Sequence, residues 1–301
     1  MSGSPILTAV APHWHDEDNV ALLAQSWPRD ERFELIVIDN GSAENPSAVQ
    51  TDRTNVKVLD VERNLGFAAA VNLGAAKSAG PLLLILNTDA RPESGALESL
   101  VRGMEEHRDA AGLAPRLVDE DGASQAGWQL RRLPNLLTLL GYCCFVEARA
   151  LREPPAGSPV EQPAACALLL RRDAFDAAGR MDEAFWPAWF EDVDLARRLR
   201  ERGVTIRYWP DATFRHGLGA SVRRLGYGPF LLAYYRNLDR YARKHHGRGA
   251  ALLLRTVLAG AALFRVLLLP LRCPQRARNR GDACAGLGRL AVAAASGWRN
   301  R

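Results

Sequence analysis

Cysteine is scarce in this sequence, and what there is has no metal-ligand spacing. Of the five in 301 residues, Cys143 and Cys144 are adjacent and the others are scattered. An odd, unpatterned set excludes a disulfide framework and reads as reduced, intracellular thiols. The N-terminus lacks the basic-then-apolar layout of a signal peptide, so no export is expected. No Lys/Arg block alternates with aromatics as in single-strand binders, so nucleic acid is not an expected partner.

The length suits one large domain with appendages. Hydrophobic and charged fractions, 48% and 24%, are those of an ordinary globular protein. The net charge of +5 is uneven: the C-terminal third is rich in arginine and residues 16–44 are acidic. A basic end of this kind suits an anionic membrane surface.

Short apolar runs alternate with helical stretches through the first third. Residues 6–10, 35–38, 56–59 and 82–86 read as buried strands. Asp16 or Asp18 is the expected cap of a helix ending at Trp27, and Ser94 of one ending near His107. Residues 66–79, small and alanine-rich, read as a further helix. This rhythm predicts a parallel sheet, whose ligands sit outside the carboxyl ends of the strands. Asp39 and Asp89 both occupy such ends. A single turn aspartate is usually structural; two at equivalent places point to a site.

From Leu113 the alternation stops, and residues 124–163 read as loops, the kind of segment that forms lids and binding surfaces. Residues 166–170 and 206–209 read as strands. Between them, Glu191, Asp192 and Asp194 open a helix just after the aromatics Phe185, Trp186, Trp189 and Phe190. Carboxylates suit a helix N-terminus. One of them in an aromatic-walled cleft also suits a general base, with Asp192 the candidate. His216 stands before a glycine-rich loop that admits close approach of a phosphate.

Residues 227–246 read as a helix with an aromatic first half and a basic end. Residues 250–269 are apolar but carry Arg255 and Arg265, which at 100° per residue share a side with Arg248 and Arg272. A one-sided arginine stripe fits the plane of a bilayer interface better than a span. Packing on the protein itself or in a homodimer is the competing expectation. The tail after Cys273 is expected to be mobile.

Six motifs occur in order: IVIDNGS (36–42), RNLGFAAAVNLG (63–74), LLILNTDA (83–90), CALLLRRDAF (166–175), FEDVDLARRL (190–199) and PDATFRHGLGAS (210–221). Together they resemble glycosyltransferase family 2, closest to the branch of bacterial rhamnosyltransferases and related cell-surface glycan enzymes. The resemblance runs from the first strand to about His246. It implies an α/β GT-A fold with a mostly parallel central sheet flanked by helices and a C-terminal helical extension. The implied organisation is a catalytic domain over 1–246, with a nucleotide half (1–112) and an acceptor half (113–246), then an amphipathic helix and basic tail (247–301).

Residue by residue, the resemblance makes Asp39 the partner of the nucleotide base. It places Arg63, Asn64 and Gly66 at the ribose and diphosphate, with Asn87 and Thr88 lining the nucleotide-sugar. Asp89, in the place of the Asp-x-Asp-type motif, and His216 become ligands of a divalent cation, Mg²⁺ or Mn²⁺. Asp192 becomes the base, with Glu191 orienting it or touching the acceptor. Trp128 and Trp189 are the expected acceptor-side aromatics. The implied reaction is metal-dependent, inverting transfer of a hexosyl group from a dTDP- or UDP-sugar, dTDP-rhamnose being the branch's donor. The acceptor is a hydroxyl of a glycan or lipid-linked glycan in cell-wall or polysaccharide synthesis. The implied location is the cytoplasmic face of a bacterial membrane. A non-catalytic relative that binds sugars or partners is one alternative. A sugar-phosphate nucleotidyltransferase is another, although residues 13–19 lack its glycine-rich basic loop. The chain departs from the family at Ala11-Pro12-His13-Trp14, on the nucleotide edge, and at Pro163-Ala164, on the acceptor side.

Overall fold

The computed structural model describes residues 4–42, 53–146, 150–217, 225–270, 274 and 276–298. The expected glycine-rich loop beyond Gly217 and the position of Arg272 lie outside these residues. In chain order the elements are β1 (Leu7–His13), α1 (Glu17–Ser26), β2 (Phe33–Asn40), β3 (Val56–Val61), α2 (Phe67–Lys77), β4 (Leu82–Leu86), β5 (Ala90–Pro92), α3 (Ala96–Glu106) and β6 (Ala110–Val118). There follow α4 (Ala126–Gln129), β7 (Leu130–Arg131), α5 (Leu136–Cys143), β8 (Pro159–Val160), β9 (Gln162–Pro163), β10 (Ala167–Arg171), α6 (Arg172–Ala177), α7 (Glu191–Glu201) and β11 (Thr205–His216). Two helices close the chain, α8 (Tyr227–Leu268) and α9 (Arg280–Ala295).

By their contacts the residues fall into two units. One comprises Met1–Leu133, Ala150–Pro187 and Glu191–Leu218; the other comprises Pro134–Arg149, Ala188–Phe190 and Gly219–Arg301.

Among the described residues, the first unit holds a nine-stranded mixed sheet of order β3-β2-β1-β4-β10-β6-β11-β5, with β8 beside β11. The first four of these are parallel. β10 enters antiparallel between β4 and β6, so both faces of the sheet stay covered while the direction reverses. Strands β1, β2 and β4 read as unbroken apolar runs because helices cover both their faces. Leu7, Leu35, Val37, Leu84 and Leu86 pack with Leu23 and Trp27 on one side; Val10, Ile36, Ile38, Leu83 and Ile85 pack with Val71 and Ala75 on the other. Gly74 lets α2 lie flat, since a Cβ there would sit 2.4 Å from a Val10 methyl.

Three local expectations are overturned. Asp16 precedes α1 but makes no capping bond; its carboxylate is drawn elsewhere. Ser94 does not cap α3, which starts after Gly95 in a left-handed conformation. The expected end of the strand–helix alternation at Leu113 falls instead inside the nine-residue strand β6. Strand β11 likewise runs on past Trp209 to His216, and its register shift between Trp209 and Thr213 absorbs Pro210 in a bulge.

In the second unit, α8 is two helices joined at Gly247, which has φ 87° and ψ 169°. The first half carries the aromatics: Trp189 meets Phe230 edge-on, and Phe190 meets Tyr234. The second half packs through Ala251, Leu254, Leu258 and Ala262. Arg255 and Arg265 turn toward that packed side, while Arg248 is exposed. Arg255 Nε lies 3.4 Å from Asp239 Oδ1, and the Arg265 guanidinium sits 4.3 Å from the Phe145 ring centroid. The outward side is therefore apolar, with Leu252, Leu253, Leu263, Phe264, Leu267 and Leu268 all exposed. Arg255 and Arg265 are therefore not on the outer face that the sequence periodicity suggests.

Candidate functional site

The carboxyl ends of β2, β4 and β11 and the start of α7 carry the chemical groups, all within the first unit. At the end of β2, Asp39 is fully buried. Its Oδ1 accepts a hydrogen bond from Ser42 N at 3.0 Å. Its Oδ2 is buried with no partner among the described residues. A buried carboxylate oxygen left bare is costly unless something donates to it, so Asp39 is built to accept from a ligand. His13, opposite Asp39 in the β1–β2 register, accepts from Asp16 N at Nδ1 and reaches Ser42 Oγ at 3.3 Å through Nε2.

The adjoining loop is held by short-range bonds. Asn40 Nδ2 donates to Asn64 Oδ1, Asn40 Oδ1 accepts from Leu65 N, and Asn64 Oδ1 also accepts from Gly66 N. Gly41, at φ 76°, approaches so closely that a Cβ would lie 2.5 Å from the Arg63 carbonyl carbon. Gly66, at φ 89°, begins α2 against Trp186. Arg63 is exposed at this rim, whereas the Asn64 oxygen is spent within the loop.

At the end of β4, Thr88 Oγ1 donates to Asp16 Oδ2 at 2.7 Å. That bond, with two from Asn19, is where the supposed capping carboxylate goes. Asp16 thus ties the β1–α1 loop to the Asn87–Asp89 turn. Asp89 Oδ1 lies 3.4 Å from His216 Nε2, and both side chains are buried. The other ring nitrogen, Nδ1, is 2.9 Å from Gln125 Oε1, and Gln125 Nε2 donates to the His216 carbonyl oxygen. Trp128 stacks on the imidazole at 5.2 Å, and the Arg131 guanidinium lies over Trp128.

A carboxylate and an imidazole nitrogen facing each other fit a hard or borderline divalent cation. Among the described residues no group of three or more His, Cys, Asp or Glu converges. These two side chains would therefore be the protein's share of the coordination, leaving the other positions to phosphate oxygens and water.

Asp192 opens α7 and is partly accessible at its rim. Oδ1 accepts from Val193 N at 2.8 Å, and Oδ2 is 3.4 Å from Ala165 N and 3.5 Å from Gln162 Nε2. The next peptide group accepts on the other side: Cys166 O takes a hydrogen bond from Asn87 N. Residues 165–166 thereby join Asp192 to the turn that carries Asp89. Burial raises the Asp192 pKa, opposed by the Val193 and Ala165 N–H groups and by Arg131. Glu191 is more deeply buried, with Oε2 unpartnered among the described residues, and burial together with the neighbouring Asp192 charge lifts its pKa well above the usual range. Both carboxyls are raised, Glu191 the more strongly, because the charge beside it adds to burial.

The structure thus brings Asp39, Asp89, Asp192 and His216 to one end of the sheet, with Asn87, Thr88 and Trp128 beside them. Phe185 is fully buried core and walls no cleft. Trp189 belongs to the segment that packs with Phe230 in the second unit. Gln125, Asp16 and Arg131 escaped the sequence reading, which offered no spacing linking residue 125 to 216 or 16 to 88.

The family model "Glycosyl transferase family 2" matches residues 20–153. An N-acetylglucosaminyl-diphospho-decaprenol L-rhamnosyltransferase of Mycobacterium tuberculosis is 27% identical over 297 residues, covering 91% of this chain and 95% of its own length. The structure resembles GalNAc-T7 with UDP, GalNAc and Mn²⁺, with a TM-score of 0.56 and 17% identity over 79% of this chain and 48% of that one. It also resembles the mannosyltransferase PcManGT of Pyrobaculum calidifontis with GDP-Man and Mn²⁺, with a TM-score of 0.55 and 14% identity over 98% of this chain and 87% of that one. The fold is GT-A, and residues 20–153 match the glycosyltransferase family 2 model.

Proposed function

We propose that this chain is an inverting, metal-dependent glycosyltransferase that moves a deoxyhexosyl group, rhamnose by analogy with its mycobacterial relative, from a dTDP-sugar to a hydroxyl of a lipid-linked glycan. The observation that carries this reading is the convergence of a bare buried carboxylate, a carboxylate–imidazole pair and a raised carboxylate at one end of the sheet. Asp39 Oδ2 accepts an N–H of the nucleotide base. Asp89 and His216 would hold a divalent cation, which would supply positive charge for the leaving diphosphate. Asp192 accepts the proton of the acceptor hydroxyl as its oxygen bonds to the anomeric carbon. The bond from that carbon to the diphosphate breaks on the opposite face, so the configuration inverts. One base suffices, and Glu191, holding its proton, leaves Asp192 as that base.

The acceptor's lipid places the enzyme at the cytoplasmic face of a membrane. The apolar outward side of α8 supports this reading. Its last 21 residues are about 31 Å long at 1.5 Å per residue. Length and apolarity alone would also suit a span. A helix packed along one side and bare along the other suits the bilayer surface.

The test is thermal unfolding with dTDP, UDP and GDP, each with and without Mn²⁺, followed by transfer assays with the stabilising donor. Stabilisation by dTDP with Mn²⁺, and loss of turnover by about 10²- to 10⁴-fold in Asp192→Asn with nucleotide binding kept, are the expected results. Full turnover in Asp192→Asn would remove it as the base, and no shift with any nucleotide would leave a non-catalytic relative.

A further inference from the structure

We propose that Gln125 is a positioning residue that holds the His216 proton on Nδ1, so that Nε2 presents a bare lone pair to the cation seat at Asp89. The inference rests on the reading of Asp89 and His216 as cation ligands.

The proton's place follows from donors and acceptors. The His216 carbonyl oxygen can only accept, so the Gln125 group 2.8 Å from it is the amide NH₂. The Gln125 oxygen must then face the imidazole, where it lies 2.9 Å from Nδ1. That oxygen can only accept, so Nδ1 carries hydrogen. In the neutral ring Nε2 is then a pure acceptor, and 3.4 Å away stands Asp89 Oδ1, also an acceptor. Two acceptors aimed at each other in a buried place need a positive charge between them.

Gln125 is equipped for this. It is buried, its side chain takes no part in capping α4, and both ends of its amide bind the same residue. Its own backbone N–H is fixed on Leu117 O in β6, the strand paired with β11, which carries His216. Trp128 stacks on the ring and holds its plane. The amide therefore sets the tautomer, the stacked indole sets the ring's tilt, and the sheet sets the distance. Groups that orient a ligating histidine through its other nitrogen commonly govern metal affinity about 10- to 100-fold.

The experiment has two arms on the full chain. First, long-range ¹H–¹⁵N NMR of metal-free, ¹⁵N-histidine-labelled protein at neutral pH reads the tautomer, with the His216 signals assigned by their loss in His216→Ala. A protonated Nδ1 and a bare Nε2 are expected. Hydrogen on Nε2, alone or on both nitrogens as in an ion pair with Asp89, overturns the proposal.

Second, binding of Mn²⁺ in the presence of dTDP is followed by loss of the free-ion EPR signal in wild type, Gln125→Met and His216→Ala. Methionine keeps the length and burial but neither donates nor accepts strongly. The expected result is a 10- to 100-fold weaker affinity in Gln125→Met, with hydrogen now on Nε2, and a loss at least as large in His216→Ala. Wild-type affinity in Gln125→Met alongside loss in His216→Ala overturns the role of Gln125. Wild-type affinity in His216→Ala overturns the cation seat itself. If Gln125→Met fails to fold, the tautomer of the wild-type chain still decides.

Discussion

Glu191 and Asp192 are adjacent in sequence but face different surroundings, and their protons follow. Burial raises both pKa values, and Glu191 is raised further by the charge beside it. Carboxyls with raised folded pKa values bind more protons folded than unfolded. Stability is therefore full below the unfolded carboxylate pKa and falls as pH rises through the folded values. Glu191→Gln removes the more strongly raised group without changing its shape. We expect its Tm to exceed wild type by a few degrees, roughly 2–4 °C per kcal/mol, at pH 8 and to match it near pH 4. An equal difference at both pH values would show that Glu191 is not held protonated. Arg131 acts on Asp192 in the opposite sense, lowering its pKa. Arg131→Met should move the acidic limb of the kcat/KM profile to higher pH, because a base must lose its proton to work. A limb that stays in place would separate Arg131 from Asp192.

At the scale of elements, the site depends on how closely turns approach one another. Gly41 and Gly95 both have positive φ, 76° and 77°, but only Gly41 lies against other backbone. Gly95→Ala should cost about 1–2 kcal/mol, the left-handed penalty alone. Gly41→Ala adds a Cβ 2.5–2.6 Å from the backbone of Arg63 and Asn64. It should cost more, about 3 kcal/mol, and weaken nucleotide binding by loosening the 63–66 loop. Urea unfolding and nucleotide titration of the two variants test this; equal costs would mean that the approach is not tight. The same reasoning explains why β6 hid from the sequence. Gly112 and Pro115 are poor strand formers by composition. Yet Gly112 is required where the Leu169 carbonyl oxygen passes 2.2 Å from the missing Cβ, and the Pro115 carbonyl is satisfied by Gln129. The cap at Asp16 failed for a related reason. A capping side chain is chosen by the nearest donor in space, and for Asp16 that donor is Thr88, 72 residues away.

At the scale of the molecule, the second unit offers one broad apolar surface. Leu263, Phe264 and Leu267 are 57–74% exposed on α8, and the exposed Arg276, Arg278, Arg280 and Arg289 stand on the chain that follows. Basic residues near an anionic bilayer contribute about 1 kcal/mol each, and a buried apolar side chain about 1.5–3 kcal/mol. Replacing Leu263, Phe264 and Leu267 with serine should weaken partitioning onto anionic liposomes at least tenfold while leaving turnover of a water-soluble acceptor analogue intact. Unchanged partitioning, with a shift from dimer to monomer, would assign the surface to a second copy of the chain.

What the sequence determined by itself is the first half of the sheet and the place of Asp39 and Asp89 at its strand ends. Strands covered on both faces are continuous apolar runs, and the aspartates stand where those runs stop, so local pattern suffices for Asp39 and Asp89. The helix break at Gly247 was legible for the same reason, since composition changes there. Only the tertiary structure decided that Glu191 is raised more strongly than Asp192, because burial and neighbouring charge belong to no single segment. It alone turned Arg255 and Arg265 inward, since the helical wheel reports which residues share a side but not which side meets Asp239 and Phe145. It alone joined Gln125 to His216 across 91 residues, because a hydrogen bond between distant segments leaves no periodic trace in a sequence.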